Sequence, residues 1–209
     1  MKKTNLRTSL SRTVPVILII LLVLIAIFAL VSLGKALFGK NTATTRTTVS
    51  KAAEERNALL STDLSRAVQM TVRGPIVANE NFKSYRIIVK SDSRSLDIYK
   101  GYLEDRVDGI TLENNVRAYE EFVYALDKAN LSVGTAFSGV RDDTRGICAT
   151  GTVTEYDLLK YGDSIKHLWT STCRGSQGSL AASNSQVKNL FLNQIPGASE
   201  LLRKTNSGF

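Results

Sequence analysis

The chain has 209 residues and a formal net charge of +8, from 27 basic and 19 acidic side chains. Residues 1–40 carry six basic and no acidic side chains, so residues 41–209, with 21 basic and 19 acidic ones, carry only +2. This distribution excludes nucleic acid as a partner of the larger part. With a single histidine and two cysteines, the chain lacks a tetrahedral set of metal ligands, and neither a metal nor a small-molecule cofactor is expected.

The first predicted element is an apolar helix. The stretch from Thr13 to Gly34 contains 22 residues without a charged side chain. About 20 apolar residues in a helix span a hydrocarbon core of roughly 30 Å. The stretch is longer than the apolar region of a typical signal peptide, and Ser32-Leu33-Gly34 is only a passable cleavage site, followed at once by Lys35. The sequence therefore predicts an uncleaved transmembrane signal-anchor helix over 14–38, with the lipid bilayer as its partner.

The orientation of this helix depends on length rather than charge. Four basic residues precede the helix, and four follow it within about 20 residues of its end (Lys35, Lys40, Arg46 and Lys51). The positive charges on its two sides are therefore balanced. A short, basic tail resists translocation, whereas a long domain crosses a membrane largely regardless of charge. We expect a single-pass protein of the cell membrane, with a cytoplasmic basic tail (1–13) and its C-terminal domain outside.

A polar tether and a stalk helix are predicted next, over 39–59. Residues 40–48 are rich in threonine and have no apolar periodicity. From Val49 the apolar residues recur at helical spacing as far as Leu64. A helix of this length is marginal in isolation, so it is expected to pack against something. An extracytoplasmic domain (60–204) and a disordered tail (205–209) complete the predicted organisation.

The first half of this domain is predicted to be a meander followed by a helix. Alternating apolar residues predict strands over 68–72 and 85–89 and a third strand around Leu96 and Ile98. A central amphipathic helix is predicted to start at or just after Thr111, with an apolar face of Leu112, Val116, Tyr119, Phe122, Val123 and Leu126.

The second half repeats the sheet pattern and ends in helix. Strands are predicted over 147–153 and 165–173, joined through Tyr161-Gly162-Asp163, and a short helix broken by Pro196 precedes a last one over 198–204. Cys148 and Cys173 would lie near the open end of this hairpin, and an exported domain favours a disulfide between them over two free thiols. The fold class expected is α+β, with an antiparallel sheet, a central helix and a C-terminal helix.

Four strings of the chain resemble uncharacterised single-pass membrane proteins of Saccharibacteria-type, small-genome bacteria. The strings are 70–82 (MTVRGPIVANENF), 143–151 (DTRGICATG), 168–179 (LWTSTCRGSQGS) and 193–196 (NQIP). The resemblance covers most of residues 60–204 and implies a bacterial envelope protein with an external domain. It implies no activity and no site residues.

Several residues are candidates for chemistry, and each has a simpler structural explanation. His167 is the only histidine and has no acidic neighbour in sequence, which favours a structural role. Ser185 and Lys188 have the S-x-x-K spacing of Ser/Lys hydrolases, but about one such match is expected by chance. The loop of residues 174–179 and the pairs Asp142–Asp143 and Asp105–Asp108 lack the full motif of a phosphate or calcium site. Trp169, Tyr99 and Tyr102 are the candidates for a binding surface.

These observations favour a membrane-anchored, non-enzymatic binding or scaffolding protein of the bacterial cell envelope, with other envelope proteins as partners. The first alternative is a pilin-like subunit, although the chain has neither a prepilin processing site nor a glutamate within its apolar helix. The second is a membrane-bound hydrolase that uses Ser185 with Lys188.

Overall fold

The computed structural model describes residues 51–207 together with Leu22 and Val23. The chain divides into two units, residues 1–51 and 52–209, and the architecture below is that of the second. The predicted cytoplasmic tail (1–13), most of the predicted transmembrane helix over 14–38 and most of the tether lie outside the described residues; Leu22 and Val23 are helical. None of the described helices combines the length and the apolar character needed to cross a membrane.

Six antiparallel strands form one sheet in the order β4-β3-β2-β1-β5-β6. The strands are β1 (Arg66–Arg73), β2 (Lys83–Lys90), β3 (Ser93–Lys100), β4 (Asp105–Glu113), β5 (Val153–Lys160) and β6 (Asp163–Ser171). The first four strands form a meander, and β5 returns to pair with the other side of β1. The α+β class and the antiparallel sheet are therefore confirmed.

Four described helices accompany the sheet: α1 over residues 51–60, α2 (Val116–Lys128), α3 (Asn184–Leu192) and α4 (Ala198–Lys204). One face of the sheet carries the main apolar core, with Met70, Ile87 and Tyr156 among its buried residues. Helix α3 packs on this face, because the ring of Phe191 lies 5.8 Å from that of Tyr156. The ring of Phe122 in α2 meets Phe191 edge-on at 5.2 Å, so α2 belongs to the same layer. We call this side the helix-covered face and the other the open face, although residues of the segment 137–144 contact the open face at β5 and β6.

The helix α1 packs on the domain, as its length predicts. Leu59 is buried in the core, and the buried ammonium of Lys166 on β6 forms an ion pair with Glu55 and donates to the carbonyl oxygen of Ser132 at 2.7 Å. Arg56 binds the carboxylate of Asp127 in α2 with two nitrogens, at 2.9 and 2.7 Å. The helix ends at residue 60, so Leu64, which the sequence pattern predicts to continue its apolar stripe, is exposed instead.

The predicted start of the central helix is wrong, because β4 occupies residues 105–113. Leu112 lies on that strand, paired with Arg94, and Val116 is exposed at the start of the helix. The helix begins after Asn115, whose side-chain oxygen accepts a hydrogen bond from the amide of Ala118 at 2.9 Å. Such a cap satisfies an amide that has no partner within the helix.

The strands of the second hairpin are displaced from their predicted positions. The first runs over 153–160 rather than 147–153, and the second over 163–171 rather than 165–173, while the turn at Tyr161 and Gly162 is as predicted. The helix α4 has its predicted bounds. Of the predicted disordered tail (205–209), residues 205–207 are described: the carbonyl oxygen of Thr205 accepts from Lys83 Nζ at 2.6 Å, and Ser207 is buried.

Candidate functional site

A pocket of about 400 Å³ opens at one end of the sheet, where β1 ends and β2 and β5 begin. We call it the aromatic pocket. Its walls come from the end of β1, the β1–β2 loop, the β3–β4 turn and the segment before β5, and they include Arg73, Ile76, Phe82, Tyr102, Arg145, Ile147, Cys148 and Val153. Tyr102, one of the predicted surface residues, is therefore part of the pocket.

A pair of stacked rings forms the aromatic wall. The rings of Phe82 and Tyr102 lie 4.0 Å apart and are inclined by 15°. Tyr102 Oη donates to the carbonyl oxygen of Val77 at 2.7 Å, and the backbone amide of Tyr102 donates to Asn79 Oδ1 at 2.9 Å. These bonds tie the β3–β4 turn to the β1–β2 loop, so the aromatic wall is held in place before any ligand arrives.

Cys148 forms part of another wall, and its disulfide with Cys173 is the one predicted from the sequence. Cys148 and Cys173 are bonded, with their Cα atoms 5.4 Å apart, at the open end of the β5–β6 hairpin. The backbone amide of Ile76 donates to the carbonyl oxygen of Ala149 at 2.9 Å, which joins the β1–β2 loop to the disulfide-bearing segment. Cys148 is buried, so the bridge is part of the wall rather than a reactive surface group.

The charged groups beside the pocket neutralise one another. The guanidinium of Arg73 lies 3.4 Å from a Glu155 oxygen and 3.9 Å from a Glu104 oxygen, and Arg86 donates to Glu104 at 3.0 Å. Thr144 Oγ1 donates to Glu155 at 2.5 Å. The two arginines and two glutamates form a network without net charge, so it does not create a field that attracts ions.

Arg145 lies at the rim of the aromatic pocket and forms an ion pair with Asp143. Its guanidinium binds both carboxylate oxygens of Asp143 while remaining largely exposed. Hydrogen bonds from the side chain and the backbone amide of Arg145 lower the pKa of Asp143 to about 2. The pair is therefore ionised at neutral pH, and the rim of the pocket, like its inner network, has balanced charge.

The other two predicted surface residues lie away from the pocket. Tyr99 is half-buried on the open face beneath Arg86, whose guanidinium carbon is 5.2 Å from the centre of its ring. Trp169 is only 4% exposed and packs edge-on against Phe137 at 6.1 Å. The structure therefore does not bring the three aromatic residues together.

The candidate catalytic residues are separated by the sheet. His167 lies on β6 opposite Asp157, on the open face, and its Nδ1 is 2.9 Å from a carboxylate oxygen of Asp142. Ser185 is exposed in the first turn of α3, on the helix-covered side, and its hydroxyl contacts that of Ser183 at 3.2 Å. Among the described residues, Asp142 is the hydrogen-bond partner of His167, and no hydroxyl or thiol lies next to the other ring nitrogen of His167.

The glycine-rich loop of residues 174–179 has a structural role here. The amide of Ser179 donates to the carbonyl oxygen of Trp169, and Ser179 Oγ accepts from the Trp169 amide at 3.1 Å. The loop therefore pairs with the outer edge of β6, which protects an edge strand from association. Within residues 51–207, no group of three or more His, Cys, Asp or Glu side chains is arranged to hold a metal ion.

Most of the residues that line the aromatic pocket are not predicted from the sequence. Arg73, Ile76 and Phe82 surround the turn at Gly74-Pro75, while Ile147 precedes a cysteine. The one available signal is the pairing of Cys148 with Cys173, which draws the segment before β5 to the end of the sheet. No protein-family model and no curated protein matches this chain.

Proposed function

We propose that residues 52–207 form a non-enzymatic binding domain, displayed on the outer face of a bacterial membrane by the apolar segment 14–38. In this proposal the aromatic pocket receives an apolar side chain from an extended segment of another envelope protein. The main observation in support of this proposal is the pre-formed, apolar pocket, which has two stacked rings at one wall and is surrounded by charged groups that neutralise one another.

The surface around the aromatic pocket supports a protein partner. Tyr102 is 47% exposed, and Ile76, Val77 and Leu103, which adjoin it, are also exposed. Contiguous exposed apolar groups with a polar rim are typical of interaction sites, and tyrosine is enriched among the residues that contribute most to binding.

The charge balance indicates which partner segment fits. Because Arg73 and Arg145 already have carboxylate partners, a charged ligand would have to compete with Glu155 or Asp143. An apolar side chain displaces only water from the pocket, and its burial is favourable in proportion to the area removed from water. We therefore propose an uncharged segment with an aliphatic or aromatic side chain, bound with little dependence on salt.

Two further observations support the location. Disulfides persist in oxidising compartments outside the cytoplasm, and the bridge between Cys148 and Cys173 is formed. The 22-residue uncharged stretch has the length of a membrane helix. A hydrolase that uses Ser185 with Lys188 is not proposed, because the exposed hydroxyl of Ser185 contacts that of Ser183, while the ammonium of Lys188 lies 5.9 Å from the centre of the Tyr85 ring.

Selection of random displayed peptides on the full-length protein in lipid nanodiscs tests the proposal. We expect enriched peptides to share an apolar residue within a neutral segment. We expect Tyr102→Ala to weaken their binding at least tenfold, since truncation of a central tyrosine costs about 2 kcal/mol. The affinity of the wild-type protein should change less than about threefold between low and high salt.

Tyr161→Ala is the matched control, because Tyr161 is an exposed tyrosine at the opposite end of the sheet, in the β5–β6 turn. It should bind the peptides as the wild-type protein does. Equal losses in the two variants, or enrichment of charged peptides whose binding disappears with salt, would reject the aromatic pocket as the site.

A further inference from the structure

Strands β4 and β6 are the two edges of the sheet, and they differ in how their outer sides are covered. The amides of Ser179 and Leu180 donate to the carbonyl oxygen of Trp169, so the loop after the disulfide pairs with the outer side of β6. Among the described residues, no backbone group pairs with the outer side of β4. An uncovered edge strand is a template for an extended segment of another chain.

Backbone hydrogen bonds identify the groups of β4 that point outwards. The amide of Asn114, directly after this strand, donates to the carbonyl oxygen of Asp92 beside β3 at 2.8 Å. Because successive residues of a strand direct their backbone groups to opposite sides, those of Gly109 and Thr111 point away from β3. The amide of Gly109 accordingly donates to the side chain of Asp108 at 2.8 Å. Thr111 therefore presents an amide and a carbonyl group that have no partner within residues 51–207.

A groove of about 390 Å³ adjoins this edge on the helix-covered side. Gly109 and Ile110 line it from β4, Leu201 lines it from α4, and Pro196 lines it from the link between α3 and α4. Ile110 and Leu201 are half-buried and pack against the apolar core, so this part of the groove is apolar. When a strand is added to a sheet, backbone hydrogen bonds hold it and pockets receive its alternate side chains. The groove is suited to aliphatic side chains of such a strand.

The charges at the edge and in the groove indicate the chemistry of the segment that fits. Glu113, at the end of β4, and Glu200, in the groove, are exposed and form no ion pair among the described residues. Lys204, the basic residue of the groove, lies 4.0 Å from a carboxylate oxygen of Asp108. Charge complementarity therefore favours a segment with lysine or arginine. A second copy of β4 fits less well, because it brings the same acidic residues to the contact.

We propose that β4 binds a basic, extended segment of a partner protein as a seventh strand of the sheet. The backbone of this segment pairs with the outward groups of Thr111, and at the amide of Gly109 its carbonyl oxygen replaces the carboxylate of Asp108. Its aliphatic side chains lie in the groove, and its basic side chains complement the two exposed glutamates. This surface is separate from the aromatic pocket and does not depend on the function proposed for that pocket.

Fluorescence anisotropy with a labelled heptapeptide of alternating lysine and valine tests this inference. The full-length protein is used in phosphatidylcholine nanodiscs, whose lipid has no net charge, with empty nanodiscs as the blank. We expect saturable binding, and about tenfold weaker binding of a heptapeptide in which glutamate replaces lysine. Because the complementary charges are exposed, binding of the lysine peptide should weaken as the salt concentration rises.

Four variants separate the backbone contacts from the charges. Thr111→Pro removes an outward amide that makes no hydrogen bond in the domain, so it should weaken peptide binding about tenfold and keep nearly the wild-type urea midpoint. Glu113→Gln and Glu200→Gln should each weaken binding about threefold at low salt, as is typical of exposed charges. Glu54→Gln is the matched control: Glu54 is exposed on α1, which contacts β6 at the opposite edge, and the variant should bind as the wild-type protein does.

Undiminished binding in a folded Thr111→Pro variant, equal affinity for the lysine and glutamate peptides, or the absence of saturable binding would overturn the inference. If Thr111→Pro does not fold, equal binding by Glu113→Gln, Glu200→Gln and Glu54→Gln would overturn it. Loss of binding in Tyr102→Ala would locate the peptide in the aromatic pocket, which rejects the edge but not the proposed function. Dimers of the wild-type protein that Thr111→Pro dissociates would identify a second copy as the occupant and would also reject the inference.

Discussion

Gly178 allows the loop after the disulfide to lie along the edge of β6. Its φ is +75°, and a Cβ atom there would stand 2.1 Å from the carbonyl oxygen of Trp169. That oxygen accepts hydrogen bonds from the amides of Ser179 and Leu180, so the close approach is required by the pairing. Trp169 is buried beneath this contact because glycine leaves room for the backbone to approach.

Gly178→Ala should therefore destabilise the domain by about 3 kcal/mol, through backbone strain and the clash with Trp169. Gly175→Ala is the control: Gly175 has a φ of +86°, but a Cβ atom added there would meet nothing within 4 Å. It should cost about 1 kcal/mol. Urea unfolding of the full-length protein in nanodiscs, followed by the fluorescence of the single tryptophan, measures both, and equal costs would contradict the account.

Asp157 is a buried carboxylate in β5, and burial raises its pKa despite hydrogen bonds from Ser164 and Gln69. Because the folded pKa exceeds the unfolded one, the folded state binds the proton more tightly. The contribution of Asp157 to stability is therefore fully present below the unfolded pKa and is lost as the pH rises through the folded pKa.

Asp157→Asn should accordingly be more stable than the wild-type protein at neutral pH, since an amide retains both hydrogen bonds once Gln69 rotates its own amide. The difference should shrink as the pH falls through the raised folded-state pKa of Asp157, where the wild-type carboxyl gains its proton. Asp163→Asn, at the exposed start of β6, should leave the pH profile unchanged. An advantage of Asp157→Asn that is independent of pH would contradict the explanation. Urea unfolding at several pH values provides the measurement.

At the scale of elements, α1 depends on two ion pairs of different burial. The side chain of Lys166 is 3% exposed in its pair with Glu55, whereas that of Arg56 is 52% exposed in its pair with Asp127. Removal of one partner of a buried pair leaves a desolvated charge behind, while an exposed pair contributes little. Of the two ion pairs, the one with Lys166 therefore contributes more to holding α1 on the domain, beside the burial of Leu59 in the core.

Lys166→Met should lower the free energy of unfolding by about 3 kcal/mol and expose α1 to proteolysis. Arg56→Gln should cost less than about 1 kcal/mol and leave α1 protected. Urea unfolding and limited proteolysis of the full-length variants provide the two measurements. Similar costs, or a protected α1 in Lys166→Met, would show that the buried pair does not hold the helix.

The strands and helices differ in how far the sequence predicts them. In β1 and β2 the alternating apolar residues are buried as the sequence predicts, because one face of each strand forms the core. The edge strand β4 carries Asp105, Arg106, Asp108 and a glycine, so its alternation is weak and the pattern places Leu112 on the following helix instead. Strand β5 is buried on both of its faces. Because two of its buried residues, Glu155 and Asp157, are acidic, the sequence does not show the continuous apolar run that is typical of such a strand.

The candidate sites are less predictable, because their residues meet only in three dimensions. Tyr102 is a candidate from the sequence for its residue type alone, and its stacking partner Phe82 lies in the preceding loop. The sequence suggests Lys188 as the base of a Ser/Lys pair, but its ammonium lies 5.9 Å from the centre of the ring of Tyr85, more than 100 residues earlier in the chain. Spacing in sequence carries no signal for such contacts.

At the scale of the whole molecule, the disulfide bears on both the stability of the domain and the shape of the aromatic pocket. The loop closed by Cys148 and Cys173 spans 25 residues, and closing it stabilises the fold by about 3.5 kcal/mol in the chain-entropy model. The same bridge carries one wall of the aromatic pocket. Both the stability of the domain and the shape of its pocket would therefore depend on an oxidising compartment, which the proposed location provides.

That location is the claim on which the proposed function rests, and labelling of single introduced cysteines in intact cells tests it most directly. Val140→Cys places a thiol at a position that is 93% exposed, and Asn5→Cys places one in the predicted cytoplasmic tail. We predict that a membrane-impermeant maleimide labels Val140→Cys in intact cells and Asn5→Cys only after permeabilisation. Labelling of Asn5→Cys in intact cells, with Val140→Cys protected until the membrane is opened, would contradict the account.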